Sequence, residues 1–509
     1  MFKYKKIKKE TIILFVILFF ALIIRLNFWL HFGDFTWDEG SHSLSGILIA
    51  KTIINGFDYN YFRNFTDHYW ASTGSLFFFP WGYTILTTIS YLIFGFSELT
   101  ARLPSMLFSL ISIPVIYILG KKLFDKNIGL LSAYLMAINP YFITRGGVAI
   151  VDVPMTCLIM AGLYFYLLGL DSSKIKPWLM SGLFLGLAGL MKPTGFIVFP
   201  FLILLTIYNK NYKYLFKKQF IVFIITGVIV FLSYFGFGVL AFFVLPKFGL
   251  ITSSEGLAVF KNIFQWFGRI LPEKYFNLFG EKLIYANYGD PNWTTFNGWY
   301  YYLLLIPKQL GSLSIFLTSI IGTIYLSTIK NKKKSFYLTI FFILYIYLIF
   351  TAIANKDPRY TMPLIPFMII LSAVGINYLY NSFTSKNLQI IIATLLLSAL
   401  TYLSINSIIN SNFNAIGNNL ESSIESIMAL KPGLVVPLHE NNIVNTQTIS
   451  FYLAIHDNNL NYSVKWPDDI SIADYVVVQK ESDVLGFSVV LIKNRFHLLP
   501  KNLIFSDYK

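Results

Sequence analysis

Eleven apolar runs recur along these 509 residues, most of them close to the length of about 20 that an α-helix needs to cross hydrocarbon. They are Thr11–Leu30, Arg102–Gly120, Asn127–Ile143, Val153–Leu170, Trp178–Met191, Gly195–Tyr208, Phe220–Leu245, Gly311–Thr328, Phe336–Ala354, Met362–Tyr380 and Leu388–Ser407. Such repetition commits the chain to a membrane, because in lipid a helix satisfies its backbone polar groups within itself. The composition agrees: only 13% of residues are charged, against about a quarter in soluble domains. A wholly soluble protein is excluded.

One further stretch, Gly74–Phe94, is ambiguous, and the basic loops arbitrate. If it lies along the interface, segments 1–10, 121–126, 171–177, 209–219, 329–335 and 381–387 share one side. Together they hold 19 of the 40 Lys and Arg, with Glu10, Asp125 and Asp171 as their acidic residues, while the rest of the chain nets −1. The positive-inside rule makes that side cytoplasmic. The overall charge of +15 is therefore a topological signal, and no nucleic-acid partner is expected. Five lysines precede the first run and no small-residue cleavage site follows it, which predicts an uncleaved first helix starting in the cytoplasm. A multi-pass cell-membrane protein is expected. Its exterior parts are 31–101, 144–152, the corner at Lys192, 246–310, 355–361 and 408–509. The single cysteine, Cys157, allows no intrachain disulfide.

The texture changes after the last run. Short apolar runs at Gly433–Leu438, Ala473–Gln479 and Phe487–Lys493 have strand length, and Glu421–Leu430 and Thr446–His456 have helical patterns. The expected fold is an α-helical polytopic membrane domain of about 11 transmembrane helices over 1–407. A small extracytoplasmic α/β domain follows over 408–509, hinged at the Asn/Ser-rich stretch Asn406–Asn419.

Several ionisable residues fall on the expected exterior side. Trp37-Asp38-Glu39-Gly40-Ser41-His42 puts two carboxylates just beyond the first run, where a low-dielectric boundary can tune a carboxyl toward general-base work. Asp152 precedes Val153-Pro154, which helix capping alone would explain; Arg145 shares its loop. Lys192 occupies a corner between two short spans and must snorkel, pair or meet an anion. Arg359 stands outside against the charge rule, with Asp357 as an obvious partner. A phosphate at the membrane surface is a ligand that Arg145, Lys192 and Arg359 together would suit. Asp38, Glu39, His42 and His68 are the groups available for a divalent cation, at a spacing that matches no strong ligand motif.

These motifs, in this order, resemble the GT-C class of polytopic glycosyltransferases, in particular the branch of protein O-mannosyltransferases and lipid A aminoarabinose transferases. The resemblance covers about residues 10–370 and rests on Trp37-Asp38-Glu39-Gly40, Ser97-Glu98-Leu99-Thr100-Ala101-Arg102-Leu103-Pro104-Ser105, Asn139-Pro140-Tyr141 with Arg145, Asp152-Val153-Pro154, Gly189-Leu190-Met191-Lys192, Trp299-Tyr300-Tyr301-Tyr302 with Pro307-Lys308, and Arg359-Tyr360-Thr361-Met362-Pro363. It implies inverting transfer of a sugar from a polyprenyl-phosphate donor to a protein, lipid or glycan acceptor on the exterior face. Carried onto this sequence, Asp38 is the catalytic base, Glu39 and Asp152 are supporting or acceptor-orienting carboxylates, and Lys192, Arg145 and Arg359 bind the donor phosphate. Two alternatives are a lipid-linked-sugar transporter or flippase, which would carry ionisable groups at mid-membrane, and an oligosaccharyltransferase-like enzyme.

Overall fold

A computed structural model describes residues 8–30, 33, 35–69, 80–172, 174–208, 215–243, 247, 296–329, 333–352, 356–409, 420–429, 432–437, 446–465, 474–479 and 487–490. The described residues of the eleven apolar runs are carried mainly on helices. The first, α1 (Lys9–Leu30), has 22 residues, about 33 Å at 1.5 Å per residue and enough for a hydrocarbon core of about 30 Å. The expected first exterior loop folds as α2 (Trp37–Ile54), α3 (Tyr59–His68) and α4 (Trp81–Phe94). With 14 residues, α4 reaches about 21 Å and falls short of a crossing. Its polar side is used in packing: Thr88 donates to the Gly46 carbonyl of α2 at 3.3 Å, and Ser90 to the Thr100 carbonyl at 2.7 Å.

The chain continues through α5 (Glu98–Leu123), α6 (Lys126–Ala137), α7 (Pro140–Gly146), α8 (Asp152–Leu170), α9 (Ile175–Met191), α10 (Val198–Tyr208) and α11 (Lys218–Phe243). After the described part resumes come α12 (Phe296–Leu310), α13 (Leu313–Thr328), α14 (Lys333–Ala352), α15 (Ile365–Asn381) and α16 (Lys386–Ile409). Among the described residues seven helices are individually long and apolar enough to span, or eight if the pair α12 and α13, bent by 109°, counts as one. That is fewer than the eleven runs because one run is interrupted and three others are carried on helices of at most 17 residues, Ile175–Met191, Pro193–Tyr208 and Leu313–Thr328. Asn127–Ile143 breaks at Asn139–Pro140, where proline lacks a donor and disfavours a helical residue before it. Lys192-Pro193 likewise separates α9 from a 3-10 turn, Pro193–Ile197, and α10. Gly311, with φ at +94°, turns the corner between α12 and α13, a conformation glycine adopts without steric cost.

Gly182 and Gly186 serve helix packing. A Cβ on Gly182 would lie 2.3 Å from the Phe223 carbonyl oxygen, and one on Gly186 2.8 Å from that of Gly227, so α9 and α11 meet backbone to backbone. Arg25, on α1, is enclosed by protein. It is buried, donating from Nε to Ser109 Oγ at 2.8 Å, from Nη1 to the Ala137 carbonyl at 2.9 Å and from Nη2 to the Met136 carbonyl at 3.3 Å. The reason is the break after α6, whose final carbonyls need donors and whose negative dipole end favours a cation.

Charged side chains gather at two ends of the bundle. At one, Lys121 pairs with Glu10 and Lys122 with Asp171. At the other stand Asp38, Asp152, Lys192 and Arg359. Asp152 and Asp171 bracket the 19 residues of α8, so the ends lie about 28 Å apart.

Beyond α16 the described elements are α17 (Leu420–Met428), β1 (Leu434–Pro437), α18 (Thr446–His456), β2 (Ser463–Val464), β3 (Tyr475–Gln479) and β4 (Phe487–Val490). The sheet runs β2-β1-β3-β4, with β1 parallel to β2 and β3, and β4 antiparallel to β3. Most of the proposed hinge, most of the 246–310 loop and the His439-Glu440-Asn441 segment lie outside the described residues.

Candidate active site

Asp38 sits in the first turn of α2, where Thr36 is the N-cap and Glu39 reaches back to accept from the Thr36 backbone N at 3.1 Å. Its side chain is 36% exposed, and Arg359 Nη1 donates to its Oδ2. Burial disfavours the charged carboxyl, but Arg359 and His42 outweigh it and hold Asp38 below the usual carboxylate range. Arg359 lies on a 3-10 turn, Pro358–Leu364, which Asp357 opens by accepting from the Arg359 backbone N at 2.8 Å. Asp357 also accepts from Arg359 Nε at 2.8 Å, so the guanidinium bridges two carboxylates. Despite the opposing pull of burial, that contact brings the Asp357 carboxyl down to about 2.

Asp152 opens α8 and is almost fully buried. Lys192, at the corner after α9, donates from Nζ to Asp152 Oδ1 at 2.8 Å and lies 4.9 Å from the Tyr360 ring centroid. Asp152 Oδ2 has no hydrogen-bond partner among the described residues. Burial opposes the Lys192 ammonium, yet Asp152 outweighs it and keeps the lysine charged. The sequence offered Lys192 a choice among snorkelling, pairing and anion binding; it pairs. Arg145 stands over the Tyr141 ring at 5.6 Å, and the Tyr141 phenol is within electrostatic reach of Arg145, Asp152, Asp357 and Arg359.

Glu39 turns out to be enclosed rather than open to a substrate. Its Oε1 accepts from Arg102 Nε at 2.8 Å and from the Ala149 backbone N at 2.9 Å. Arg102 also donates to the Gly33 carbonyl at 2.8 Å, approaches Glu98 at 3.6 Å and stacks over Phe35 at 4.7 Å. This pair ties α2 to α5 and to the segment entering α8, and so fixes the two helix starts that carry Asp38 and Asp152. Arg102 was visible in the sequence as an arginine near the exterior start of a span, but only as part of a motif.

His42 is one helical turn from Asp38 and buried. Burial dominates its environment, over the opposing pull of Asp38 and Asp152, and pushes the imidazole down to about 4, so it is neutral at pH 7. Among the described residues no three His, Cys, Asp or Glu side chains converge as a metal ion requires. His68 instead bonds the Asn64 carbonyl on α3, and Glu39 is engaged by Arg102, so these residues do not fit the divalent ion considered from sequence.

The C-terminal segment contributes to this end of the molecule. Phe451 of α18 stacks on Phe35 with centroids 4.1 Å apart, and the Phe35 backbone N donates to Tyr452 Oη at 3.2 Å. Gly40 is the contact point on α2: a Cβ there would lie 3.0 Å from the Gln447 carbonyl carbon.

With charged residues converging on one end of a helical bundle, the chain can be set beside known proteins. Residues 79–236 match the family model of dolichyl-phosphate-mannose-protein mannosyltransferases. ArnT from Cupriavidus metallidurans in the apo state is 15% identical, with a TM-score of 0.58 over 89% of this chain and 84% of that one. Bound to undecaprenyl phosphate it is 13% identical, with a TM-score of 0.60 over 92% and 93%. The chain has a GT-C glycosyltransferase fold. The same GT-C fold relates it to the Archaeoglobus fulgidus oligosaccharyltransferase, at 13% identity and a TM-score of 0.56 over 91% of this chain and 65% of that one. A protein of uncharacterised function from Aquifex aeolicus (strain VF5) is 26% identical over 303 residues, 57% of this chain; the match spans about half of that relative's length, 52%.

Proposed function

We propose that the protein is an inverting glycosyltransferase that moves a sugar from a polyprenyl-phosphate donor to a protein, lipid or glycan acceptor on the extracytoplasmic face. The observation that carries this is the part-exposed Asp38–Arg359 pair, within electrostatic reach of Lys192 and the buried Asp152 that it holds. Asp38 takes the proton of the acceptor hydroxyl as its oxygen bonds the anomeric carbon. The bond from that carbon to the phosphate oxygen breaks, and the electron pair leaves with the polyprenyl phosphate. A phosphate leaving group needs charge stabilisation rather than a proton, which cations supply. Arg359, Lys192 and Arg145 are assigned to that task. As the phosphate gains charge it draws Arg359, and Asp38, losing part of its counter-charge, becomes more basic at the moment it must accept a proton.

Orientation follows the charge separation. The Lys121 and Lys122 end is placed in the cytoplasm and the Asp38 end outside, with the C-terminal segment. The described ionisable cluster lies at one end of the bundle rather than at mid-membrane, which favours a transferase over a flippase. Oligosaccharyl transfer to asparagine shares the fold and is separated by the acceptor. The deciding experiment is release of polyprenyl phosphate from polyprenyl-phosphate hexoses by the full chain in lipid nanodiscs, with hydroxyl-bearing and asparagine-bearing acceptors. Release that requires Asp38 and a hydroxyl acceptor is the expected result; undiminished release by Asp38→Asn rejects that residue as base.

A further inference from the structure

The donor's phosphate is well supplied with cations, but two buried polar atoms have no partner among the described residues, and one of the two is of the wrong kind for a phosphate. Asp152 Oδ2 is buried with no partner among the described residues, while Oδ1 is held by Lys192 at 2.8 Å. A carboxylate oxygen only accepts, so a phosphate oxygen there would be repelled, whereas a hydroxyl donor would satisfy it. An ammonium is disfavoured too, because Lys192 already neutralises Asp152. The second atom is the Tyr141 hydroxyl, also buried and without a partner. Its ring is set against Arg145 on the seven-residue helix α7, within electrostatic reach of Asp152. A phenol both donates and accepts, so it complements a hydroxyl in either sense.

Buried polar groups in native proteins are almost always bonded, and one left unbonded calls for an explanation such as a ligand. Two such atoms within electrostatic reach of one another, one accepting and one of either kind, match hydroxyls of a single sugar ring. We propose that Asp152 Oδ2 and Tyr141 Oη form the subsite that binds hydroxyls of the donor's sugar. This rests on the transferase reading and gives Asp152 a role toward the donor rather than the acceptor. Tyr141 becomes a specificity-determining residue: its hydroxyl adds nothing to the free protein and is reserved for the ligand.

The test uses the full chain in nanodiscs and measures affinity for bare undecaprenyl phosphate and for undecaprenyl-phosphate glucose, mannose and galactose. In the wild type at least one hexose should bind tighter than the bare phosphate. Tyr141→Phe should lose about fivefold of that excess, the worth of one neutral hydrogen bond, and keep its affinity for bare undecaprenyl phosphate. Its melting temperature should be unchanged or higher, since the hydroxyl removed had no partner. The inference is overturned if Tyr141→Phe keeps the full excess, if it weakens bare and glycosylated lipids equally, or if no hexose binds tighter than the bare phosphate. Failure of the wild type to bind any polyprenyl phosphate would instead overturn the transferase reading beneath it.

Discussion

Arg359 Nη1 donates to Asp38 Oδ2 across 321 positions of sequence, while the same guanidinium holds Asp357 two residues away. One cation thus governs the charge of the proposed base, and in the proposed mechanism it leaves that base for the donor phosphate.

Replacing Asp38 with Asn should abolish transfer with little loss of stability. General-base catalysis contributes about 10²- to 10⁴-fold, whereas an ion pair this exposed is worth about 0–1 kcal/mol. Turnover and melting temperature in nanodiscs separate the two. Arg359→Gln should lower turnover and also move the acid limb of the pH–rate profile upward, since Asp38 loses the neighbour that holds its carboxyl down. An unmoved limb would show that Asp38 is not the titrating base.

The imidazole of His42 gives a pH signature of stability. Its pKa is about 4 in the folded protein against about 6.5 for an unperturbed histidine. The folded state resists protonation, so stability is fully present above pH 6.5 and is lost as pH falls through 4. His42→Asn should flatten this loss. Melting curves of wild type and variant between pH 7 and 4 provide the check, with parallel curves counting against it.

How much of this was legible in the sequence depended on whether the signal was local. Periodicity placed Thr446–His456 as a helix to the residue, and Thr11–Leu30 within two residues of α1. Charge counting grouped Lys121, Lys122 and Asp171 apart from Asp38 and Arg359. Partners were not legible: Asp38 with Arg359, Glu39 with Arg102 and Arg25 with the end of α6 each join residues at least 63 apart. Hydrophobic patterns record which face of a helix is buried and carry no information on what a buried charge will meet. The interruptions at Asn139–Pro140 and Lys192-Pro193 show the same division. The corner at Lys192 was legible, whereas the run Asn127–Ile143 was read straight through Asn139-Pro140; only the fold shows that the breaks bring Lys192 into contact with Asp152 and Tyr141 within its electrostatic reach.

Lys192→Met should be more damaging than Lys192→Met combined with Asp152→Asn. The single change strands a carboxylate that is 1% exposed, and breaking one side of a buried pair costs about 3–5 kcal/mol. Neutralising both removes the stranded charge, so the double variant should recover much of the stability while remaining inactive. A double-mutant cycle on unfolding free energy measures the coupling; simple additivity would mean the two residues do not stabilise each other.

The docking of α18 on α2 predicts that Gly40 tolerates no side chain. A methyl group there would meet the Gln447 carbonyl carbon at 3.0 Å and the Thr448 backbone N at 3.1 Å. Both are backbone atoms, so relief requires moving a helix rather than a rotamer, and overpacking of this kind costs about 1–3 kcal/mol. The displaced surface also carries the Phe35–Phe451 stack, and Phe35 in turn lies under Arg102. Gly40→Ala should therefore lower the melting temperature, speed amide exchange in α18 and reduce transfer, because Arg102 holds the Glu39 anchor next to Asp38. Gly236→Ala on α11 is the control: a Cβ there meets nothing within 4 Å, and a helical glycine replaced by alanine gains about 0.5–1 kcal/mol. If Gly40→Ala exchanges and turns over like Gly236→Ala, the C-terminal helix does not brace the start of α2.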